Sequence, residues 1–373
     1  MTVRWPFTVA LLAAVGGCTG CAAPGTPTAV GGSTGTPAAS PTAAPGGLRV
    51  LHLGDFGEQT RQQAAVAAAV SAAHARASFA VAVFAGDLIY ECGLDARAPG
   101  AEACAFGADD NTVATPPSGP PDPAPARLHE WPLAGLRAGA PVRPVLALGN
   151  HDVLTRGRCS VPGLDPEVAA RRKACLAVAH RSPLWSLPAR HHLVEEGPAR
   201  FVVLDSNAVY QDYGGFTLDA ELAFLSGALE GCDRRACFVV LHHPPTTAGL
   251  HQRDFERPER AARMARLEAA AGGRIRAWLA GHDHDLQHLR SAAGVDVLVS
   301  GNGATARPIE CFSTTSTGGR LLFASTDWGY GVLTVRADGW DYRFENERGR
   351  PLHCCAASGT GRCEPVTCTP ERA

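Results

Sequence analysis

A series of short apolar runs sets the strongest limit on how this chain can fold. They are "LRVLHLG" from Leu48, "FAVAVFAG" from Phe79, "RPVLALG" from Arg143, "RFVVLDS" from Arg200, "ACFVVLHH" from Ala236 and "IRAWLAG" from Ile275. Most end in a glycine or a polar turn. Runs of this length without alternation suit strands covered on both faces. The stretches at 58–77, 164–180, 217–231 and 256–271 carry helical patterns between them. From "GVDVLVSG" through "GVLTVRADG" to "WDYRFENERG" the chain reads as strand after strand. The expectation is an α/β domain over 48–347 with a strand-rich C-terminal half. Residues 92–126 form a Pro-rich insertion that could line a substrate entrance.

The chemistry sits at the ends of these runs: "GDFG" with Asp55, "GDLIY" with Asp87 and Tyr90, "GNHD" with Asn150 and His151, "VVLHHPP" with His242, and "GHDHD" with His282 and His284. Ligand sites in open α/β sheets form just beyond the carboxyl ends of strands. A Gly-Asp pair alone is usually a turn, and a histidine beside prolines is usually packed or solvated. In this order, each at the end of an apolar run, the residues read as one site. Oxygen and nitrogen donors without cysteine suit iron, zinc or manganese.

These blocks resemble the calcineurin-like metallophosphoesterase superfamily, and most closely its small, mammalian-type purple acid phosphatases. The pattern GDxG, GDxxY, GNH(D/E), VxxH and GHxH is matched by 54–57, 86–90, 149–152, 239–242 and 281–284. "AWLAGHDHDLQHL" and "LDAELAFLSGAL" are similar to further segments of that branch. The fold implied is four-layered, two mixed β-sheets packed together and flanked by helices. Most of the superfamily begins with D-x-H, where this chain has Gly57; Tyr90 stands where the purple branch supplies a tyrosinate.

The resemblance implies a binuclear centre bridged by Asp87. Asp55, Tyr90 and His284 would hold Fe(III), and Asn150, His242 and His282 would hold Fe(II), Zn(II) or Mn(II). His243 is the alternative to His242. Two carboxylates and a phenolate would leave the ion pair with net positive charge, enough to hold a phosphate monoester for attack by a metal-bound hydroxide. His151 is the first candidate for protonating the leaving alkoxide and His251 the second. A phosphodiesterase or nucleotidase on the same fold is the alternative, and a non-catalytic Cys-rich surface protein a further one.

The remaining features concern location. Residues 1–18 read as a signal peptide whose "VGGC" ending resembles a lipoprotein cleavage box, so that Cys18 would carry a lipid anchor. Residues 19–47 read as a flexible tether; the "GGSTG" within it lacks the strand and helix that a nucleophile elbow needs. This points to an exported protein, anchored at the periplasmic or outer cell surface, or secreted if Cys18 is not lipidated. The 13 cysteines then suit an oxidising compartment. Spacing suggests Cys92–Cys104, Cys159–Cys175 and Cys232–Cys237, with four more in a Cys-rich tail over 348–373, and leaves Cys21 and Cys311 without mates. A formal net charge of −2 and no basic run give no support for a nucleic-acid partner. Nothing in the sequence speaks to oligomeric state.

Overall fold

The computed structural model describes residues 47–307, 309 and 317–369. The proposed leader and tether, with Cys18, Cys21 and Cys311, lie outside them. Two seven-stranded mixed sheets form the centre. In the first, Leu48–Leu53, Val81–Ala85 and Arg143–Ala147 run parallel, and Gly329–Arg336 joins Leu48–Leu53 antiparallel. In the second, Ala199–Val203, Ala236–Val240, Ala277–Ala280 and Asp296–Ser300 run parallel.

Side chains alternate between two cores, as the two-residue repeat of a strand requires. Val81 and Val83 pack between the sheets with Phe238, Val240, Leu279 and Trp340. Ala82 and Phe84 face outward, under the helix Arg61–Arg76. Val239 and Leu241 likewise face Leu225, Met264 and Leu267 of the helices Leu218–Ala228 and Pro258–Ala271. The layers therefore run helix, sheet, sheet, helix, as expected. Each fully buried Val, Leu or Phe adds about 1.5–3 kcal/mol of hydrophobic stabilisation.

Local signals set the helix ends. The Thr60 hydroxyl accepts from Gln63 N–H and starts the first helix. Asp165 caps Pro166–Ala179, with proline in its first turn. Pro258–Ala271 stops at Gly272, whose φ of 57° is left-handed.

Two features differ from the sequence-based expectation. The disulfides are Cys92–Cys159 and Cys104–Cys175 rather than the sequence-near pairs, while Cys232–Cys237 forms as expected. Spacing missed the first two because the insertion folds back onto the helix Pro166–Ala179, where Lys173 Nζ also donates to the carbonyls of Cys92 and Leu154. The Cys-rich segment, set apart by composition, pairs as strands Pro351–Ser358 and Glu364–Val366 at the edge of the first sheet. Cys354–Cys368 and Cys355–Cys363 staple this edge. The five bridges among the described residues fit an oxidising compartment. No described helix is long and apolar enough to cross a membrane.

His129 makes stability depend on pH. It is fully buried, edge-on to Phe84 at 4.5 Å, with Nε2 3.2 Å from the carbonyl of Leu184. Burial lowers its pKa from 6.5 to about 4. Below pH 6.5 the unfolded chain takes up a proton that the native protein refuses until about pH 4. Stability is therefore lost as pH falls through that window, by about 3 kcal/mol from this group. Urea midpoints for wild type and His129→Phe across that window should show a shallower acid slope in the variant. Identical slopes would remove His129 as a cause.

Candidate metal centre

The carboxyl ends of Leu48–Leu53, Val81–Ala85, Arg143–Ala147, Ala236–Val240 and Ala277–Ala280 meet, and both sheets contribute. Asp55, Asp87 and His282 take left-handed backbone conformations, with φ of 54°, 52° and 73°. Such positions cost about 1–3 kcal/mol each and persist only where the surroundings hold them. Here Asp55 N–H donates to Gly86 O at 3.0 Å. His282 N–H donates to Asp55 Oδ2 at 2.7 Å and His151 N–H to Asp87 Oδ1 at 2.8 Å.

Two clusters result. In the first, the Tyr90 hydroxyl lies 3.0 Å from Asp55 Oδ1, 2.7 Å from Asp87 Oδ2 and 3.0 Å from His284 Nε2. In the second, Asn150 Oδ1 lies 2.9 Å from His242 Nε2 and 3.0 Å from His282 Nδ1, which are 3.2 Å apart. The other oxygen of Asp87, Oδ1, is 3.4 Å from His242 Nε2. One carboxylate thus faces both clusters.

The donor set fits metal ions. His242 Nδ1–H donates to Ala85 O at 2.9 Å, leaving Nε2 with a lone pair aimed at the acceptor oxygens of Asn150 and Asp87. Acceptors converging in a buried space call for a cation. Ligand atoms of Asp55, Asp87 and His284 lie within 4.8 Å of one another, as do those of His242, His243 and His282. Burial lowers the pKa of His242 and His282, and takes His284 to about 3, so the imidazoles are neutral and ready to ligate. Burial and the Asp87 carboxylate push Asp55 well up. Burial opposes ionisation of Asp87 too, but His242, His151 and the Tyr90 hydroxyl hold its carboxyl low.

Gly57 explains where Tyr90 stands. A Cβ on residue 57 would lie 2.1 Å from Leu88 O, so no histidine fits there. Instead Gly57 N–H donates to Asp87 O at 3.1 Å and Gly57 O accepts from Tyr90 N–H at 2.8 Å. The backbone that excludes a side chain at 57 is the one that delivers the phenol. Asp152 braces the same corner, accepting the backbone N–H of Leu88, Ile89 and Gly149.

His242 and His243 are distinguished by their partners. Ser206 Oγ accepts the N–H of both at 3.1 and 2.9 Å, which leaves its own proton for His243 Nδ1 at 2.9 Å. His243 then carries its proton on Nε2 and stacks on Tyr210 at 4.2 Å, whereas the free lone pair of His242 points at the cluster.

The His151 ring lies tilted against the Tyr90 ring with centroids 4.4 Å apart, and its Nδ1 holds Glu91 O at 2.7 Å. His251 stacks on His282 at 3.9 Å, with Nδ1 2.9 Å from Asp283 Oδ1. His251, His282 and Asn150 line a cavity of about 370 Å³. None of its lining residues comes from the 92–126 insertion, contrary to expectation. Sequence reasoning missed Ser206, Arg307, whose charge opposes the upward push on Asp55 and adds to the effect of burial on His284, and the cavity arginines Arg156 and Arg257. No motif marks them. His288 and His191, given no role from sequence, pair with Asp296 at 3.1 Å and Glu221 at 2.9 Å.

Gly57→Ala should lower stability by about 1–3 kcal/mol, because the new methyl drives into backbone. Chemical denaturation reads this directly, and an unchanged midpoint would contradict the fit described for residue 57.

A family model described as calcineurin-like phosphoesterase matches residues 48–286. No curated protein sequence matches the chain. Among solved structures, GAP50, the anchor in the inner membrane complex of Plasmodium, aligns with a TM-score of 0.60 at 15% identity, covering 85% of this chain and 89% of that one. Purple acid phosphatase PPD1 from yellow lupin (Lupinus luteus) seeds aligns at 0.56 with 14% identity, covering 84% of this chain and 54% of that one; this chain thus spans about half its length. PhoD aligns at 0.52 with 13% identity, covering 89% and 73%. At such identities these likenesses show the fold alone. The family model, however, spans well over half of the sequence, and the chain belongs to the calcineurin-like phosphoesterase family.

Proposed function

We propose that this protein is an exported phosphatase that hydrolyses phosphate monoesters at a binuclear metal centre, in the manner of purple acid phosphatases. The observation that carries this reading is the position of Asp87. One oxygen faces the Tyr90, Asp55 and His284 cluster, and the other faces the Asn150, His242 and His282 cluster. Two bound metal ions would supply positive charge for the phosphoryl oxygens and an acidified water as nucleophile.

The residues divide that work. Asp55, Tyr90 and His284 would hold the ion on one side, Asn150, His242 and His282 the ion on the other, and Asp87 would contribute to both. Asp55, Asp87 and the Tyr90 phenol bring three oxygens together, a hard donor set. That favours ferric iron at Tyr90. The second ion would be Fe(II), Zn(II) or Mn(II), whose preferences match a site of imidazole and amide oxygen.

His151 donates its Nδ1–H to Glu91 O, so the imidazolium form would carry its second proton on Nε2 and pass it from there to the leaving alkoxide, returning to the neutral ring. His251 is held at Nδ1 by Asp283, whose other oxygen accepts from Thr247 Oγ1. It lines the cavity and, as the imidazolium, would be the second proton donor through Nε2. The disulfides support export, and the "VGGC" ending at Cys18 supports a lipid anchor.

Purified, metal-loaded protein should release phosphate from p-nitrophenyl phosphate faster than it cleaves bis(p-nitrophenyl) phosphate. The reverse order would make it a diesterase, and no hydrolysis of either would favour a binding protein on this fold. The iron-loaded protein should absorb in the visible through a phenolate-to-iron transition. Tyr90→Phe should remove that band while leaving far-ultraviolet circular dichroism unchanged; a band that persists would place iron away from Tyr90. His151→Ala should slow alkyl phosphates more than aryl phosphates, since only poor leaving groups need the proton. Equal slowing would exclude His151 as the acid.

A further inference from the structure

The cavity of about 370 Å³ beside Asn150, His251 and His282 has room for the alcohol part of a substrate whose phosphate lies at the metal centre. Its charged lining is unevenly used. Asp254 is taken by Arg260 at 2.7 Å and by the Tyr210 hydroxyl at 3.0 Å. Arg260 also lies 4.4 Å over the Tyr210 ring. Glu167 accepts the backbone N–H of Gly214.

Arg156 and Arg257 are different. Both are exposed on the cavity wall, one in the loop after Asn150–Val153 and the other at the start of Pro258–Ala271. Neither has a carboxylate partner among the described residues. A guanidinium offers a planar fork of donors that matches a carboxylate or a phosphate. Two cations brought to one cavity by separate elements, neither with a carboxylate partner among the described residues, offer a place for an anion that is not part of the protein.

We infer that the substrate of the proposed phosphatase carries a second anionic group, a carboxylate or a further phosphate, which Arg156 and Arg257 hold in this cavity. This rests on the hydrolase reading above and narrows it: a simple aryl or alkyl phosphate leaves both guanidiniums without a partner. The reacting phosphate then lies at the Asp87 end, Tyr210 and Tyr213 flank the connecting carbon chain, and the second anion reaches the rim.

Three probes on one carbon skeleton test it: glucose 6-phosphate, 6-phosphogluconate, which adds a carboxylate, and glucose 1,6-bisphosphate, which adds a phosphate. Phosphate release gives kcat/KM for each, and calorimetry gives their affinities independently of turnover. Wild-type protein should prefer at least one doubly anionic compound over glucose 6-phosphate by about tenfold or more, the scale of one charge-assisted hydrogen bond. Whichever compound leads identifies the second group. In the Arg156→Gln/Arg257→Gln double variant that ratio should fall toward one, with far-ultraviolet circular dichroism and metal content unchanged. Equal wild-type kcat/KM and affinity for all three, or a preference that survives the double variant, would overturn the inference. If no phosphate is released from any probe, the hydrolase reading fails, and the affinity ratio alone then decides whether the arginines hold a second anion.

Discussion

The buried carboxylate of Asp87 is the constraint around which the rest of the structure is arranged. It sits where the first sheet ends, in a left-handed backbone position, and has one oxygen in each of two clusters of donors. The clusters could not share it if the sheets were not packed face to face, because Asp55, Tyr90 and Asn150 come from the first sheet and His242, His282 and His284 from the second. The interior of Val83, Phe238, Leu279 and Trp340 thus fixes the distance between the two halves of the centre. Without a cation the Asp87 charge makes Asp55 costly to ionise, and both carboxylates hold the proton on the Tyr90 hydroxyl that bonds them. That tension is the physical signature of a site built for positive charge.

The likeness to GAP50, an anchor by its own description, alongside a purple acid phosphatase shows that this fold accommodates more than one role. Function must therefore be argued from side chains. Here the donors of both clusters are in place, and His151 and His251 beside them are each held through Nδ1, by Glu91 O and Asp283.

Much of this was legible in the sequence. Runs such as "FAVAVFAG" and "ACFVVLHH" are too short and too uniformly apolar for exposed elements, and the polar residue closing each one lands in the site. The stretches read as helical at 58–77 and 164–180 contain the helices Arg61–Arg76 and Pro166–Ala179. What stayed hidden depends on tertiary approach. Cys92 and Cys104 choose distant partners because of how the insertion folds back, and local spacing carries no trace of that path. The choice between His242 and His243 turns on a hydroxyl proton from Ser206, a residue no motif marks. Arg156 and Arg257 are two of many surface arginines until the cavity joins them. The tail looked separate because its composition is set by cysteine, yet it completes a sheet edge.

The most direct test of a shared Asp87 is anomalous diffraction from crystals of iron-loaded protein. Two anomalous peaks are predicted, one within ligand distance of Asp55, Tyr90 and His284 and one of Asn150, His242 and His282, with the Asp87 carboxylate touching both. A single peak, or two peaks with Asp87 bound to only one, would contradict a binuclear centre organised by that carboxylate.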